Sequence, residues 1–586
     1  METVDVTVIG AGWSGLAALK TYHQIDPSAS IVLFESAASV GGVWAKHRLY
    51  AGLKSNNMLG TYEFSDFPMD ESFGVKPGEH IPGTVLQNYM EQYVEHFQLI
   101  SFIHLNTRVR IAEHNSDGTW TLTIDEHGKG QKTIVSKKLI VCTGITSQPY
   151  LPKFTGEENF AVPLFHCRDL LQYQDDLLQP DKRITVFGGT KSSWDAVYAA
   201  ATAGAHVDWV IRDNGHGPIW MAPPYVTPLK KWLEKLVTTR LLTWFSPCIW
   251  GSADGCSRIR SFLHGTWLGR KIVDAFWTTL GNDVIALNKY DSHPETRKLK
   301  PWISPFWIAS SLSILNYPTN FFDLITSGKV HIHIAHITHL SPKTIHLSTG
   351  TALPTNALIA STGWKATPNI DFRPEGLDQT LGFPWAPDSI PKSITQQADT
   401  EILHRFPRLR SPPPIPENYT PLAPDAPATA KHPFRLYRFM IPPALAQSRS
   451  IAFMGLTTTI NTTIIAQAQA LWITAYFTND LTPTPSEKCP EPARKLLLAQ
   501  GSSDDADLAW ETALHSQFGV HRYRGGFGAR NPDFVFDALP YIDLLLRDLG
   551  VDFERKGALR WLEPYGVEDY RGLVEEWVGG KKKKDA

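Results

Sequence analysis

A unit of strand, glycine-rich loop, helix and second strand occurs twice in the 586-residue chain, and this repeat restricts the fold more than any other feature. The first copy, VDVTVIGAGWSGLAALKTYHQ followed by SIVLFE, runs from Val4 to Glu35. The second copy, RITVFGGTKSSWDAVYAAATAGA followed by HVDWVIR, ends at Arg212. Such units build parallel sheets, because the helix returns the chain to the edge where the next strand begins. The sequence therefore predicts an α/β protein with two Rossmann-like dinucleotide-binding domains.

The first glycine loop has the spacing that a pyrophosphate-binding turn requires. Gly10 permits the tight turn, Gly12 lets the backbone approach a phosphate, and Gly15 lets helix and strand pack closely. The helix that follows directs free N–H groups and a favourable dipole at an anion. Glu35 ends the second strand, where an acid accepts a hydrogen bond from a ribose hydroxyl. We predict that this copy binds FAD or NAD, because Glu35 would repel an extra ribose phosphate.

The second glycine loop differs from the first in its charge and in one glycine. Gly188 and Gly189 keep the turn, but Thr190 stands where the usual second glycine would be. Arg212 replaces the acid at the end of the second strand and would attract the extra phosphate of NADPH. The loop adds one cation and two hydroxyls that also favour phosphate: Lys191, Ser192 and Ser193. We predict a functioning NADPH site; the alternative is a relic loop that only holds the fold together.

Composition and charge exclude a disordered or nucleic-acid-binding chain. Hydrophobic residues make up 42% and charged residues 19% of the sequence, as in globular proteins. The 56 basic and 58 acidic residues give a formal net charge of −2, so no strong field attracts nucleic acid. A chain of this length is expected to form two or three domains.

The five cysteines, at positions 142, 167, 248, 256 and 489, form no CxxC pair. This spacing predicts no metal site, and the sparse, odd number is typical of a reducing, cytoplasmic compartment. The uncharged stretch from Ile451 to Phe477 contains several threonines, Asn461 and two glutamines, which are costly to place in hydrocarbon. We therefore predict no transmembrane segment there, but a buried strand and then a helix that begins near Thr462 or Thr463.

From Val4 to about Phe477 the sequence resembles the flavin-containing monooxygenase-like group of class B flavoprotein monooxygenases, and especially fungal members of secondary metabolism. Several landmarks of that group are weak one by one, but their order along the chain makes the match specific. They are GAGWSG at 10–15, ESAASVGGVW at 35–44, LKSNNMLGTYEFSDFP at 53–68, VCTGITSQPYLP at 141–152, GGTKSSWD at 188–195 and STGW at 361–364.

The resemblance implies FAD and NADPH as cofactors and O2 as a substrate. In this family NADPH reduces FAD, and a flavin C4a-(hydro)peroxide passes one oxygen atom to a small organic molecule. Hydroxylation at nitrogen, sulfur or carbon, or epoxidation, is the expected outcome, with Baeyer–Villiger insertion as the alternative. Two other hypotheses stay open: a flavin oxidase or dehydrogenase whose second nucleotide site is a relic, and a non-catalytic nucleotide-binding protein.

The resemblance also implies roles for residues outside the glycine loops. Gly42 and Trp44 match the loop beside the FAD pyrophosphate and ribityl chain, and Val109 matches the position whose backbone holds the adenine. Asn56 aligns with an asparagine near the reactive edge of the flavin, where a carboxamide donates and accepts hydrogen bonds without adding charge.

The chain departs from the family pattern at two of these places. Met58 and Leu59 stand where the pattern that contains Asn56 has proline and lysine. In RKLKPWISPFW, Phe306 and Trp307 lie near the place where Baeyer–Villiger enzymes carry an arginine. Arg297 would replace that arginine only if the fold brings it inward. The missing arginine argues against Baeyer–Villiger chemistry, which stays the alternative, whereas Met58 and Leu59 only make the loop beyond Asn56 unconventional.

The domain organisation that the resemblance implies is discontinuous. Residues 1–180 and 365–500 would form the FAD domain, and residues 181–364 the NADPH domain, with a helical insertion at about 215–294. Residues 501–586 would form a helical extension that braces the FAD domain or makes a homodimer contact. The insertion predicts two amphipathic helices on the NADPH domain, because apolar residues recur at helical spacing between charged ones. The apolar residues are Leu229, Trp232, Leu233, Leu236 and Val237, and the charged ones, expected to be exposed, are Lys230, Lys231, Glu234 and Lys235. The two helices would serve as a structural cap, a substrate lid or a membrane-surface element.

Overall fold

The computed structural model describes residues 2–226, 230–365, 367–421, 430–499, 506–526, 528–557 and 560–585. Its first sheet has eight strands, and the first glycine loop follows one of them, Glu2–Ile9. Seven of them follow the order Asp371–Arg373, Thr107–His114, Trp120–Glu126, Gly130–Val141, Glu2–Ile9, Ile31–Phe34 and Ile103–His104, and Ile451–Phe453 also pairs with Gly130–Val141. Glu2–Ile9 runs parallel to both of its neighbours, with Val6 opposite Ile31.

Two strands of the first sheet come from the segment after residue 364. Phe372 lies opposite Ala112, and Ile451 lies opposite Leu139, both in parallel pairs. The chain therefore leaves the first sheet, builds a second one and returns.

The second sheet has five parallel strands in the order Val330–Ile334, His206–Ile211, Arg183–Phe187, Ala357–Ala360 and Leu164–His166. Helix Lys191–Thr202 follows the second glycine loop and buries Trp194 against Trp209. Strand Leu164–His166 belongs to this second sheet, although it precedes residue 180, the predicted end of the first FAD-domain segment. The first sheet is mixed, because Trp120–Glu126 pairs antiparallel with both of its neighbours, and the second sheet is fully parallel. With these two sheets and their helices, the predicted α/β class is confirmed.

The two crossings between the sheets lie side by side. The backbone N–H of Tyr150 donates to the carbonyl oxygen of Gly363 at 3.0 Å, and that of Lys365 donates to Gln148 at 2.9 Å. These hydrogen bonds fix the carboxyl edges of the two sheets next to each other, so that loops from both reach the same region.

The described part of the insertion contains four α-helices, at Leu233–Val237, Arg240–Trp244, Ser257–Gly265 and Trp267–Leu287, rather than the predicted two. Most of its buried apolar residues join the hydrophobic core of the first sheet and the C-terminal helices, whereas Met221 and Tyr290 belong to the separate core of the second sheet. The predicted packing on the NADPH domain therefore describes only part of the insertion. Glu234, expected among the exposed charges, is buried. Leu229, which the helical pattern also included, lies outside the described residues.

The C-terminal helices Ala506–Arg522, Ala538–Leu549 and Leu573–Asp585 pack on this common core. The Arg240 guanidinium of the insertion donates to the Asp543 carboxylate, with an NH2–Oδ1 distance of 2.8 Å, and both side chains are buried. Helix Thr462–Phe477 begins at a predicted residue and is buried along nearly its whole length. Among the described residues, no helix is long and apolar enough to cross a membrane.

Smaller elements complete the structure. The other helices of eight or more residues are Trp13–Ile25, Gly83–His96, Leu170–Leu177, Lys392–Arg405 and Glu491–Ala499. Small sheets are formed by Lys54–Met58 with His80–Pro82, Trp220–Ala222 with Leu312–Ile314, Tyr225–Val226 with Lys231–Trp232, Thr458–Thr459 with Asp533–Phe534, and Ile337–Ser341 with Thr344–Leu347 and Ala352–Pro354.

Candidate cofactor site

A cavity of about 870 Å³ lies at the carboxyl edge of the first sheet. This volume is within the range of small-molecule and cofactor sites. Its wall combines the first glycine loop, the end of strand Ile31–Phe34, the loop at 41–43, Thr107–Val109, the crossing at 142–149 and the start of helix Thr462–Phe477. Segments that are distant in sequence thus converge on one nucleotide-sized space.

Three glycines in or behind this wall, Gly10, Gly15 and Gly42, have little or no room for a side chain. Gly10 has a φ of +104°, and a Cβ added there would lie 2.6 Å from the carbonyl oxygen of Cys142. A Cβ on Gly15 would lie 1.7 Å from the carbonyl oxygen of Gly10. Gly12 and Gly42 face each other so closely that a Cβ on Gly42 would lie 3.0 Å from the Gly12 Cα. The result is a narrow backbone cradle that fits the pyrophosphate of a dinucleotide.

Glu35 connects the cradle to the next strand. Its Oε2 accepts a hydrogen bond from the Ala11 N–H and its Oε1 accepts one from the Ala37 N–H, both at 2.8 Å. The carboxylate lines the cavity. Oε1 also accepts a hydrogen bond from the Ser36 hydroxyl at 3.3 Å. Because each carboxylate oxygen accepts two hydrogen bonds, Oε2 can still accept one from a ribose hydroxyl.

Not all of the residues assigned to the cofactor site by resemblance line the cavity. Gly42 and Val109 line the cavity, as expected of loops beside a dinucleotide. Trp44 instead turns into the core, where its Nε1 donates to the Tyr62 hydroxyl at 3.3 Å. Its indole therefore supports Tyr62, which does line the cavity.

Helix Thr462–Phe477 brings its first turn to the far end of the cavity. Thr462, Ile465 and Ala466 line the wall there, together with Gln469, whose Nε2 donates to the Tyr541 hydroxyl at 2.9 Å. The first N–H groups of a helix have no partners within the helix and carry the positive end of its dipole. This end of the cavity can therefore stabilise negative charge on a bound ring.

Three arginines that were not assigned from the sequence also line the cavity: Arg48, Arg108 and Arg168. Arg48 donates to the carbonyl oxygen of Thr146 at 3.2 Å, and Arg168 donates to that of Ser147 at 3.0 Å. Burial and the neighbouring Arg168 charge lower the pKa of Arg48 to about 10. The basic run Lys46–Arg48, one residue after GGVW, is a sequence signal for Arg48 but not for Arg168.

Asn56 is not among the residues that line this cavity. The side-chain Nδ2 of Asn56 donates to the Ser313 hydroxyl at 3.0 Å, and the main-chain carbonyl oxygen of Asn56 lies 2.9 Å from His80 Nδ1. The next residue, Asn57, points the other way and donates to the buried carboxylate of Glu234 and to the carbonyl oxygen of Ile460. Asn56 therefore ties the 54–58 strand to the segment at 312–314.

The segment beyond Arg297 brings no arginine of its own to the cavity. Arg297 is largely exposed and pairs with Asp291 at 3.4 Å. Phe306 and Trp307 are buried, and the Arg522 guanidinium lies 4.6 Å from the centre of the Phe306 ring.

The second glycine loop has the geometry of a turn but crowded surroundings. Gly188 has a φ of +134°, and a Cβ on Gly189 would lie 2.7 Å from the carbonyl oxygen of Gly217. Thr190 is exposed and is the N-cap of the following helix. Ser193 is fully buried beneath Gly188, whereas Ser192 is partly exposed.

The two cations of the second copy already have partners. Lys191 pairs with Asp195 and also donates to Asn316 Oδ1 at 3.0 Å. Arg212 donates to the carbonyl oxygen of Thr420 at 3.0 Å, and burial lowers the pKa of its guanidinium. Phosphate binding at this loop would exchange these partners for the ligand.

Comparison with solved structures shows a known fold. The structure aligns with cyclohexanone monooxygenase from Rhodococcus sp. Phi1 bound to NADP+ at a TM-score of 0.55 and 16% identity, over 99% of this chain and 98% of the other. It also aligns with the S-allyl-L-cysteine S-oxygenase of Allium sativum at a TM-score of 0.51 and 14% identity. At these identities the likeness concerns the fold alone.

Sequence comparison is more specific. Residues 3–222 match the family model described as flavin-binding monooxygenase-like. The chain is 34% identical to the FAD-dependent monooxygenase rstn6 of Aspergillus nomiae over 99% of both chains. It is 33% identical to an FAD-dependent monooxygenase of Pyrenophora dematioidea over 94% of this chain and 98% of the other. The chain therefore belongs to the FAD-dependent monooxygenase family, within the flavin-binding monooxygenase-like group.

Proposed function

We propose that the chain is an FAD- and NADPH-dependent monooxygenase that inserts one oxygen atom of O2 into a small organic natural product. The observation that carries this proposal is the 870 Å³ cavity, where the first glycine loop, Glu35 and the start of helix Thr462–Phe477 meet. Bound FAD would supply the redox chemistry, with NADPH as the reductant and O2 as the source of the oxygen atom.

The protein's own contribution is binding, orientation and exclusion of water. The Gly10–Gly15 loop and Gly42 would hold the pyrophosphate, Glu35 the ribose and the backbone at Val109 the adenine. Arg48 and Arg168 add positive charge beside the crossing at 142–149. Asn56, in the strand Lys54–Met58, would offer its carboxamide to the reactive edge of the flavin.

The second glycine loop is proposed to bind NADPH. Gly188 and Gly189 form the turn, Ser192 and the N-terminus of helix Lys191–Thr202 face the anion, and Arg212 would bind the ribose phosphate. Lys191 would also bind phosphate after its ion pair with Asp195 is broken. Ser193 would act by packing beneath the loop.

Hydroxylation or epoxidation is favoured over Baeyer–Villiger insertion. Phe306 and Trp307 stand near the place of the arginine that those enzymes use, and Arg297 points outward. The five unpaired cysteines support a cytoplasmic location. In a homodimer the C-terminal extension would make the contact, and sedimentation velocity distinguishes a homodimer from a monomer.

Anaerobic reduction of the purified holoenzyme tests the proposal directly. We expect NADPH to bleach the flavin absorbance faster than NADH does, and O2 to restore it with H2O2 release when no substrate is present. Reduction by neither nucleotide, even with candidate substrates present, would favour the oxidase hypothesis with a relic second site. A chain that binds FAD and shows no turnover under any condition would favour the nucleotide-binding hypothesis.

A further inference from the structure

Exposed apolar side chains cluster at the turn between helices Ser257–Gly265 and Trp267–Leu287. Among the described residues, 15 large apolar side chains are exposed, and five of them lie within positions 259–272. We call these five the hairpin patch: Ile259, Phe262, Trp267, Leu268 and Ile272. Scattered exposed apolar residues are ordinary, whereas a cluster of this kind marks an interaction surface.

The hairpin patch is held outward by a rigid support. Its most exposed members are Trp267 at 68%, Leu268 at 53% and Phe262 at 43%. The opposite faces of the same two helices bury Leu263 and Trp277 in the core. Thr266 at the turn caps the second helix, because its hydroxyl accepts a hydrogen bond from the Gly269 N–H at 3.0 Å. The patch therefore cannot fold inward without breaking this packing.

The charged residues of the hairpin segment itself have a single sign. Residues 255–273 contain four basic residues and no acidic residue. One of the four, Arg260, is buried and paired with Asp254 at 2.7 Å. Arg258 and Lys271 are exposed, and Arg270 is half-exposed with its NH1 donating to the carbonyl oxygen of Gly265. Three cations thus border the apolar side chains.

The next acidic residue along the chain does not neutralise these cations, because Asp274 pairs with Arg408 at 2.7 Å. An exposed tryptophan among aliphatic side chains, bordered by cations, matches the chemistry of a bilayer interface. Indole rings favour the headgroup level, aliphatic side chains enter the acyl boundary, and arginine and lysine attract anionic headgroups.

We propose that the hairpin patch docks this enzyme on the surface of an anionic lipid bilayer. Such attachment is peripheral and needs no spanning helix. It would place the protein where apolar substrates concentrate. The inference rests on the hairpin alone and does not depend on the chemistry of the cofactor cavity.

Vesicle co-sedimentation of the full-length holoenzyme tests the proposal. We expect binding to phosphatidylcholine vesicles that contain about one third phosphatidylserine, weak binding to phosphatidylcholine alone, and release by high salt. W267S/L268S should reduce partitioning at least tenfold. R258Q/K271Q should reduce it roughly 25-fold, since each lost cation near an anionic surface weakens binding about fivefold.

Matched variants elsewhere on the surface separate the patch from general effects. I100S removes an exposed apolar side chain and K76Q/K329Q removes two exposed charges, and both should bind vesicles like the wild type. All variants should keep their flavin absorbance and thermal midpoint. Absence of wild-type binding, or equal binding by every variant, would overturn the proposal. A dimer that W267S/L268S converts to monomer, without vesicle binding, would instead assign the patch to a second copy of the chain.

Discussion

The Arg212 guanidinium donates a hydrogen bond to the main-chain carbonyl oxygen of Thr420 at 3.0 Å, so the cation at the end of the second glycine unit is held by a distant loop. A ribose phosphate would take over this guanidinium, because charge-assisted hydrogen bonds to phosphate are stronger than those to a neutral carbonyl. We expect R212Q to raise the KM for NADPH by roughly tenfold to a hundredfold and to leave the KM for NADH nearly unchanged.

The side chain of Thr420 provides the control for this prediction. T420A keeps the carbonyl acceptor and should show wild-type kinetics with both nucleotides. An equal loss with NADPH and NADH in R212Q would mean that Arg212 supports the fold rather than the ribose phosphate.

Gly12 offers a way to separate cofactor binding from folding. A Cβ at this position would lie 3.5 Å from the Gly42 Cα, an ordinary contact, so the apoprotein should accept G12A. The added methyl group nevertheless enters the cradle, and FAD affinity should fall by about tenfold or more. Fluorescence titration of the apoprotein with FAD measures the change.

G15A and G580A are the disruptive and the neutral control for G12A. A Cβ on Gly15 would overlap the carbonyl oxygen of Gly10, so G15A should fail to fold. Gly580 has open space around its Cα, so G580A should bind FAD like the wild type. Normal FAD affinity in G12A would contradict the assignment of the cradle to the pyrophosphate.

Local features of the chain were predictable, whereas partners from distant segments were not. The turn at Gly10–Gly15 and the start of helix Thr462–Phe477 follow from short-range spacing, and both are found in the structure. Lys191 was expected to be free for phosphate, but Asn316, far along the chain, accepts a hydrogen bond from it. No periodicity within residues 230–237 indicates that the 57–61 segment buries Glu234, because burial is decided by packing across the whole chain.

Glu63 makes the stability of the fold depend on pH. Burial raises the pKa of this carboxyl group to about 7, and the nearby Glu568 charge adds to the shift. A carboxyl group whose pKa is raised by folding stabilises the folded state while it is protonated. That contribution is complete below the ordinary pKa and is lost as the pH rises through about 7.

E63Q should therefore be more stable than the wild type at pH 8, by on the order of 3 kcal/mol, and should match it near pH 4. Urea unfolding at several pH values measures the difference. Glu113 is exposed on its strand, and E113Q makes the same charge change without this effect. A stability difference that does not vary with pH would contradict a raised pKa of the buried Glu63 carboxyl group.

The Arg240–Asp543 pair joins the insertion to the C-terminal helices inside the core. Loss of one partner leaves the other charge buried and unpaired, which typically costs about 3–5 kcal/mol. We expect D543A to lower the free energy of unfolding by this amount. R240M/D543L, which leaves neither charge, should recover most of the loss, because buried ion pairs replaced by apolar residues are often nearly neutral. Denaturant unfolding compares the two variants. Equal destabilisation of D543A and R240M/D543L would show that packing around Asp543, rather than its charge, joins the two segments.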